Sequence, residues 1–404
     1  MQRGTDFISS GNHIHDCDPG IMKVTKLTAK VKAVALEQLF KPALLIAEKE
    51  IKEAHQPTDV RVPNPMLLKR QANRYREKHR PAEPSPTDIK FEVNKEFIGE
   101  EFLVKEVVVG DHRHLLFATP KQLELLKTCK RWFMDGTFKV VRKPFSQLWS
   151  IHGFLKKGDS MKQVPLCFVL MTRRTSEDYE QVLLHIKEHY QPAVECGMLD
   201  FEPGCWSAIR KVFPGIKLKG CVFHWIQCVW RKVQGVGLAG SYYERKTAYN
   251  YVRSLMALPF LPADHMLAAF DKLCLMANTD PLRELISYIR QTWFESSVYS
   301  LNNISVFMMA FRTNNDCEGW HRRLNGRCMG AGLSFYVLVP ILKEEGELID
   351  MQWTMVEEGV SFRNCRKKYC KINTKIFEAW GKYTEKSITT SAFLKLAGNL
   401  YGHK

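Results

Sequence analysis

The chain has 404 residues, with 59 Lys and Arg against 43 Asp and Glu, a formal net charge of +16. Its hydrophobic share of 45% and charged share of 25% are ordinary globular values, which excludes whole-chain disorder, collagen-like repeats and coiled coil, and the length suits two or three domains. No apolar run approaches the ~20 residues of a membrane helix, and the excess positive charge points to an anionic partner, most commonly nucleic acid.

Residues 1–20 are polar, with His13 and His15 among acids, unlike a signal peptide. The 12 cysteines are spread through the chain without an export signal, so reduced thiols of an intracellular protein are expected. Residues 21–80 hold 14 Lys and Arg and 6 Asp and Glu. Val31, Val34, Ala35 and Leu39 recur at helical spacing, Pro42 breaks that helix and Pro57 ends a second. A third, over 66–78, carries Lys69, Arg70, Arg74, Arg76 and Lys78, expected to meet DNA phosphates. Pro81, Pro84 and Pro86 form a stiff linker that closes this basic helical region at 85.

Gly110-Asp111 signals a hairpin between strands at 101–109 and 115–118, followed by a short helix at 120–126. Strands are expected at 131–138, 147–155 and 164–171, rich in β-branched and aromatic residues. A helix at 176–189 follows, with Ser176 as its N-cap; then a strand at 197–201, a Pro-initiated helix at 203–213, a strand at 217–223 and a helix at 225–233. Residues 240–297 are almost all helical, and another helix covers 319–324. From 344 the pattern mixes helix with basic loops. Residues 361–404 hold 10 basic residues and 2 acids, among them Arg366, Lys367 and Lys368, expected to touch DNA. The charge therefore sits in two flanks around a nearly neutral middle. Solvated helix faces are the alternative explanation for each flank.

This order predicts an α/β fold: a mixed sheet flanked by helices, its first three strands antiparallel and its later ones parallel, as in the RNase H-like fold. The divisions are 1–20, a basic helical region at 21–85, the sheet domain at 86–235 and 301–345, an all-helical insertion at 236–300 between its parts, and a basic tail at 346–404.

Three acids stand out. Asp135 ends an apolar strand, Asp200 ends a short one and Glu318 begins a helix. Each has a plain structural explanation: Asp135-Gly136 as a turn, Asp200 and Glu202 as caps, Glu318 as a solvated acid. Together they have the make-up of a site for two Mg²⁺ or Mn²⁺ ions, because hard carboxylate oxygens suit these ions and leave positions open for water and phosphate.

Five stretches carry a resemblance: 135–138 (DGTF), 147–153 (QLWSIHG), 200–202 with 208–214 (DFE, AIRKVFP), 219–225 (KGCVFHW), and 312–315 with 318–321 (RTNN, EGWH). In this order they resemble the transposase domain of Mutator-like elements, the MULE family, from about 102 to 324. The resemblance implies a DDE-type catalytic domain of the RNase H-like class. It places Asp135, Asp200 and Glu318 on the catalytic, metal-binding acids, with DNA as partner, a dimer or higher oligomer on DNA, no membrane, and the nucleus as location. The helical insertion would help to hold DNA ends; packing on the sheet is the alternative. His13-Ile14-His15 with Asp18-Pro19 resembles the end of a FLYWCH-type or WRKY-like zinc finger, although two histidines cannot close a four-ligand site alone.

Cys221 and His224 keep a C-x-x-H spacing that the family shares. A zinc site there would need Cys205 and Cys228; support of the active site or contact with DNA is the other expectation. His321, one turn after Glu318, is expected to touch a phosphate or to pack. Three functions follow: an active transposase; a domesticated or decayed descendant that binds DNA or chromatin without catalysis; and a housekeeping RNase H-like nuclease, which the family motifs disfavour.

Overall fold

The computed structural model describes residues 2–3, 6–7, 20–38, 41–245, 247–328, 331–359 and 367–403. They divide into two compact units, Met1–Ala82 and Glu83–Lys404.

The first unit is built from three helices, α1 (Ile21–Glu37), α2 (Ala43–Ala54) and α3 (Pro65–Lys78). Pro42 ends the link between the first two, and Asn64 caps α3 by accepting from the Met66 N–H at 2.8 Å. The core is small: Leu27, Val31, Ala35, Ala43, Ile46, Ala47, Leu68 and Ala72. Arg76 lies on the same stripe as Leu68 and Ala72 and is buried with them. Its guanidinium donates to Ala35 O (2.8 Å), Gln38 O (2.6 Å) and Lys41 O (2.8 Å), and so ties the end of α1 to the link that follows it. This corrects the expectation that Arg76 meets DNA: the side chain is buried, and Nε and Nη2 donate inside the unit. Lys69 is half-buried, and Arg70, Arg74 and Lys78 are exposed. His13, His15 and Arg366 lie outside the described residues, as do the side chains of Lys367 and Lys368.

The second unit holds a seven-stranded sheet. Its strands are β1 (Leu103–Val109), β2 (His112–Phe117), β3 (Arg131–Thr137), β4 (Gln147–Lys157), β5 (Ser160–Met171), β6 (Cys196–Leu199) and β7 (Lys217–Gly220). The spatial order is β1-β2-β5-β4-β3-β6-β7. Every pair from β1 to β3 is antiparallel, and β3/β6 and β6/β7 are parallel. The unit is α/β, its mixed sheet flanked by helices in an arrangement compatible with the RNase H-like fold. Long hairpins serve the antiparallel half; the parallel half needs the crossover helices that the chain supplies.

The helices of this unit begin with α4 (Lys95–Ile98), α5 (Pro120–Thr128), α6 (Ser176–Tyr190), α7 (Pro203–Val212) and α8 (Val222–Gly235). The N-cap of α6 is Thr175, one residue before the expected Ser176, because Thr175 and Asp178 close a capping box. The helical stretch contains α9 (Ala239–Tyr243), α10 (Thr247–Ala257), α11 (Ala263–Leu275), α12 (Asp280–Ile289) and α13 (Leu301–Ile304). Next come α14 (Asn315–Cys328) and α15 (Phe335–Glu357), the latter packed on β4 and β5, then α16 (Lys367–Thr384) and α17 (Thr390–Tyr401).

The last two helices of the basic tail belong to the main core. Ile376, Ala379, Trp380, Phe393, Leu394 and Ala397 join the main core with Leu255 and Phe260. Trp380 Nε1 donates to Phe260 O at 2.8 Å. Arg253 donates to Gly398 O (2.8 Å) and Asn399 O (2.9 Å). A Cβ on Gly398 would come within 2.7 Å of Arg253 O, so only glycine lets α17 approach α10 this closely.

Candidate active site

Three parallel strand ends stand side by side. Met134 pairs with Leu199, and Leu199 with Gly220. The next residues on the three strands, Asp135, Asp200 and Cys221, are therefore level with one another at the carboxyl edge of the sheet, where open α/β sheets bind their ligands. Asp135 is still within β3, opposite Ser150, so it is not a turn former. Glu202 occupies the N-cap position of α7 without a capping side-chain bond; its carboxylate accepts instead from Tyr179 Oη at 2.8 Å.

β7 ends at Gly220, earlier than the expected 223, and α8 begins at Val222 with Cys221 as its N-cap. His224 thus lies in the first turn of a helix and not at a strand end. The turn is held from far along the chain. The Val222 N–H donates to Arg312 O (3.0 Å), and the Asn314 N–H to Cys221 Sγ (3.1 Å). Asn314 Nδ2 donates to Met134 O (3.1 Å), and the Glu318 N–H to Asn314 O (2.9 Å). The 312–314 loop so connects β3 and α8 to the start of α14, which carries Glu318 in its first turn and His321 one turn further.

Asp135, His224 and Glu318 each offer a donor atom within 4.8 Å of the others; among the described residues this is the one group of three His, Cys, Asp or Glu donors so close. His224 Nε2 lies 3.3 Å from Glu318 Oε1, and His321 Nδ1 lies 3.5 Å from Asp135 Oδ2. Asp135 Oδ1 accepts the Gly136 N–H at 2.9 Å, whereas Oδ2 is buried without a hydrogen bond. Asp200 stays outside the group, half-buried one strand over, and acts on it through its charge.

Burial, and then the charge of Asp200, push Asp135 well above the ordinary carboxyl range. Burial also raises Asp200; Glu318 adds to the rise, while His224 and Arg174 oppose it. Glu318 is held below its ordinary value, chiefly by its bond to His224. For His224, burial works against the charged form, but Cys221, Glu318 and Asp135 outweigh it and push the ring up to about 11. Without a bound cation its imidazolium is the counter-charge for Asp135 and Glu318; a divalent ion would take over that role, and the ring would give up its proton for Nε2 to bind it. Burial pushes His321 down to about 4, leaving a neutral ring behind Asp135.

The donor set fits a divalent cation: carboxylates with a buried, unsatisfied oxygen, and one imidazole. The oxygens suit Mg²⁺ or Mn²⁺, and the imidazole favours Mn²⁺ over Mg²⁺. The zinc set of Cys221, His224, Cys205 and Cys228 does not form such a group among the described residues. Cys221 is buried with its sulfur accepting the Asn314 N–H. His321 is buried too, which places it against Asp135 and away from any phosphate in solvent.

Sequence reasoning assigned His224 a supporting place and gave Arg312 and Asn314 no task. The C-x-x-H spacing and the Arg312–Asn315 motif were the available signals, but which strand end they meet is settled only by tertiary structure.

The family model of the MULE transposase domain matches residues 131–228, from β3 into α8. The match includes Asp135, Asp200, Cys221 and His224. No match was found among curated proteins. The matched segment carries the MULE transposase domain, that of a transposase or a transposase-derived protein, and with it DNA as the expected partner. None of the described helices is long and apolar enough to cross a membrane.

Proposed function

We propose that the chain is a metal-dependent DDE-type transposase that hydrolyses DNA phosphodiester bonds and joins strands, working in the nucleus as a multimer on DNA. The observation that carries this is the meeting of Asp135, His224 and Glu318 within 4.8 Å at the carboxyl edge of the sheet, with Asp200 level with Asp135. Asp135, Glu318 and His224 would hold one divalent ion, and Asp200 would share a second with Asp135. When bound, such ions activate the attacking water or 3′-hydroxyl and stabilise the leaving oxygen.

The protein's own part is positional and electrostatic. Glu318, kept ionised by His224, is ready as a ligand near neutral pH. Asp135 is fixed by the strand, by the Gly136 N–H on one oxygen and by His321 beside the other. Arg174, more exposed than the acids and 3.4 Å from Glu202, supplies positive charge beside Asp200, where a substrate phosphate would add negative charge.

The test is nicking of duplex DNA with Mg²⁺ or Mn²⁺. Wild-type protein is expected to nick, and Asp135→Asn to lose the activity; equal activity in that variant would reject the assignment. Wild-type protein that binds DNA but never nicks it would instead identify a transposase-derived binding protein.

A further inference from the structure

The 312–314 loop is held from its other side by the C-terminal helices. Arg312 is buried in a cage of three rings, its guanidinium 5.7 Å from the centre of Phe377, 5.5 Å from Trp380 and 5.8 Å from Tyr401. It donates to Tyr401 Oη (3.0 Å), to Asn373 Oδ1 and to Met309 O (2.5 Å). Its own carbonyl accepts the N–H of Val222, two residues before His224. Two residues along, Asn314 binds the carbonyl just before Asp135 and accepts the N–H of Glu318. One short loop therefore touches the backbone that presents each member of the donor group, and its first residue is anchored in α16 and α17.

We infer that α16 and α17 are a working part of the candidate site: acting through Arg312, they set the spacing of Asp135, His224 and Glu318. This rests on the function proposed above. Arg312 touches no donor atom, so it is a positioning residue. A fork of nitrogen donors and a flat face for aromatic contacts are both required, and lysine supplies neither. Outer partners of this kind typically alter metal affinity or activity by 10–100-fold.

The experiment uses the full chain and measures Mn²⁺ affinity by calorimetry alongside nicking kinetics. Arg312→Lys is expected to weaken Mn²⁺ binding by about tenfold or more and to lower kcat, with KM for DNA unchanged. The double variant Asn373→Ala, Tyr401→Phe keeps Arg312 and removes two of its acceptors; a severalfold loss of Mn²⁺ affinity with the far-UV spectrum retained is expected. This second variant carries the test if Arg312→Lys fails to fold. Wild-type Mn²⁺ affinity and kcat in a folded variant would overturn the inference while leaving the site intact. A wild-type chain that binds no Mn²⁺ would overturn the site itself, and the inference with it.

Discussion

The two basic flanks look alike in composition and differ in structure. In the N-terminal one, α3 turns Leu68, Ala72 and Arg76 inward and leaves Arg70, Arg74 and Lys78 exposed. In the C-terminal one, α16 and α17 bury Trp380, Phe393 and Leu394 in the main core and supply Asn373 and Tyr401 to Arg312. Equal charge therefore conceals unequal roles. One flank is a small helical unit with cations to offer; the other completes the sheet unit. Net charge reports how many cations a segment has, and the apolar stripe reports what else it must do.

The sharpest way to break this contrast is Trp380→Ala. If the C-terminal flank is core, removing a fully buried indole and its bond to Phe260 O should cost about 3–5 kcal/mol, measured by denaturant unfolding. A loss under 1 kcal/mol would return α16 to the status of an appendage. Next is Arg76→Ala, which takes a buried donor from three carbonyls and should cost about 2–3 kcal/mol in a unit with little core to spare.

Asp178 tests the same principle in the sheet unit. Buried, it accepts from Arg173, from the amide and hydroxyl of Thr175, and lies 3.1 Å from His114 Nε2. Burial opposes its charge, but Arg173 and Thr175 prevail and hold its pKa below the ordinary value. Its stabilisation is thus present above the unfolded pKa of about 4 and is lost as pH falls below it. Asp178→Asn should cost about 1–3 kcal/mol at pH 7 and flatten the acid limb of a Tm-versus-pH curve; an unchanged acid limb would refute the assignment. The smallest effect belongs to Arg74→Ala. Stability should stay within about 0.5 kcal/mol, while the slope of log affinity for DNA against log salt should shrink by about 0.9. An unaltered slope would remove Arg74 from the DNA-facing set.

Much of this was legible beforehand. The helix at 66–78, the hairpin about Gly110 and the succession of strands along the chain were readable because period and turn residues are local signals. Strand ends, a helix start and a family pattern singled out Asp135, Asp200 and Glu318; the fold brings Asp135 and Glu318 together with His224 and leaves Asp200 outside that group. The burial of Arg76 also had a signal, since 68, 72 and 76 share one face; its positive charge drew attention away from it. Ile376, Ala379, Trp380 and Tyr383 likewise keep helical spacing inside a segment read as helix mixed with basic loops. What could not be read was the place of His224 in the donor group. That depends on a hydrogen bond from Val222 to Arg312, between residues far apart in the chain, and no periodicity encodes it.

The anchoring of Arg312 also has a consequence in time. Asp135 and its strand are synthesised early, and the sheet strands can pair as they emerge. Arg312 meets its aromatic cage only after Tyr401 has left the ribosome. The 312–314 loop is thus anchored later than the strands it touches. Pairings so distant in sequence form slowly because loop closure precedes any contact energy. A chain with its sheet already folded but with residues 373–401 not yet made would still lack the cage that holds the 312–314 loop.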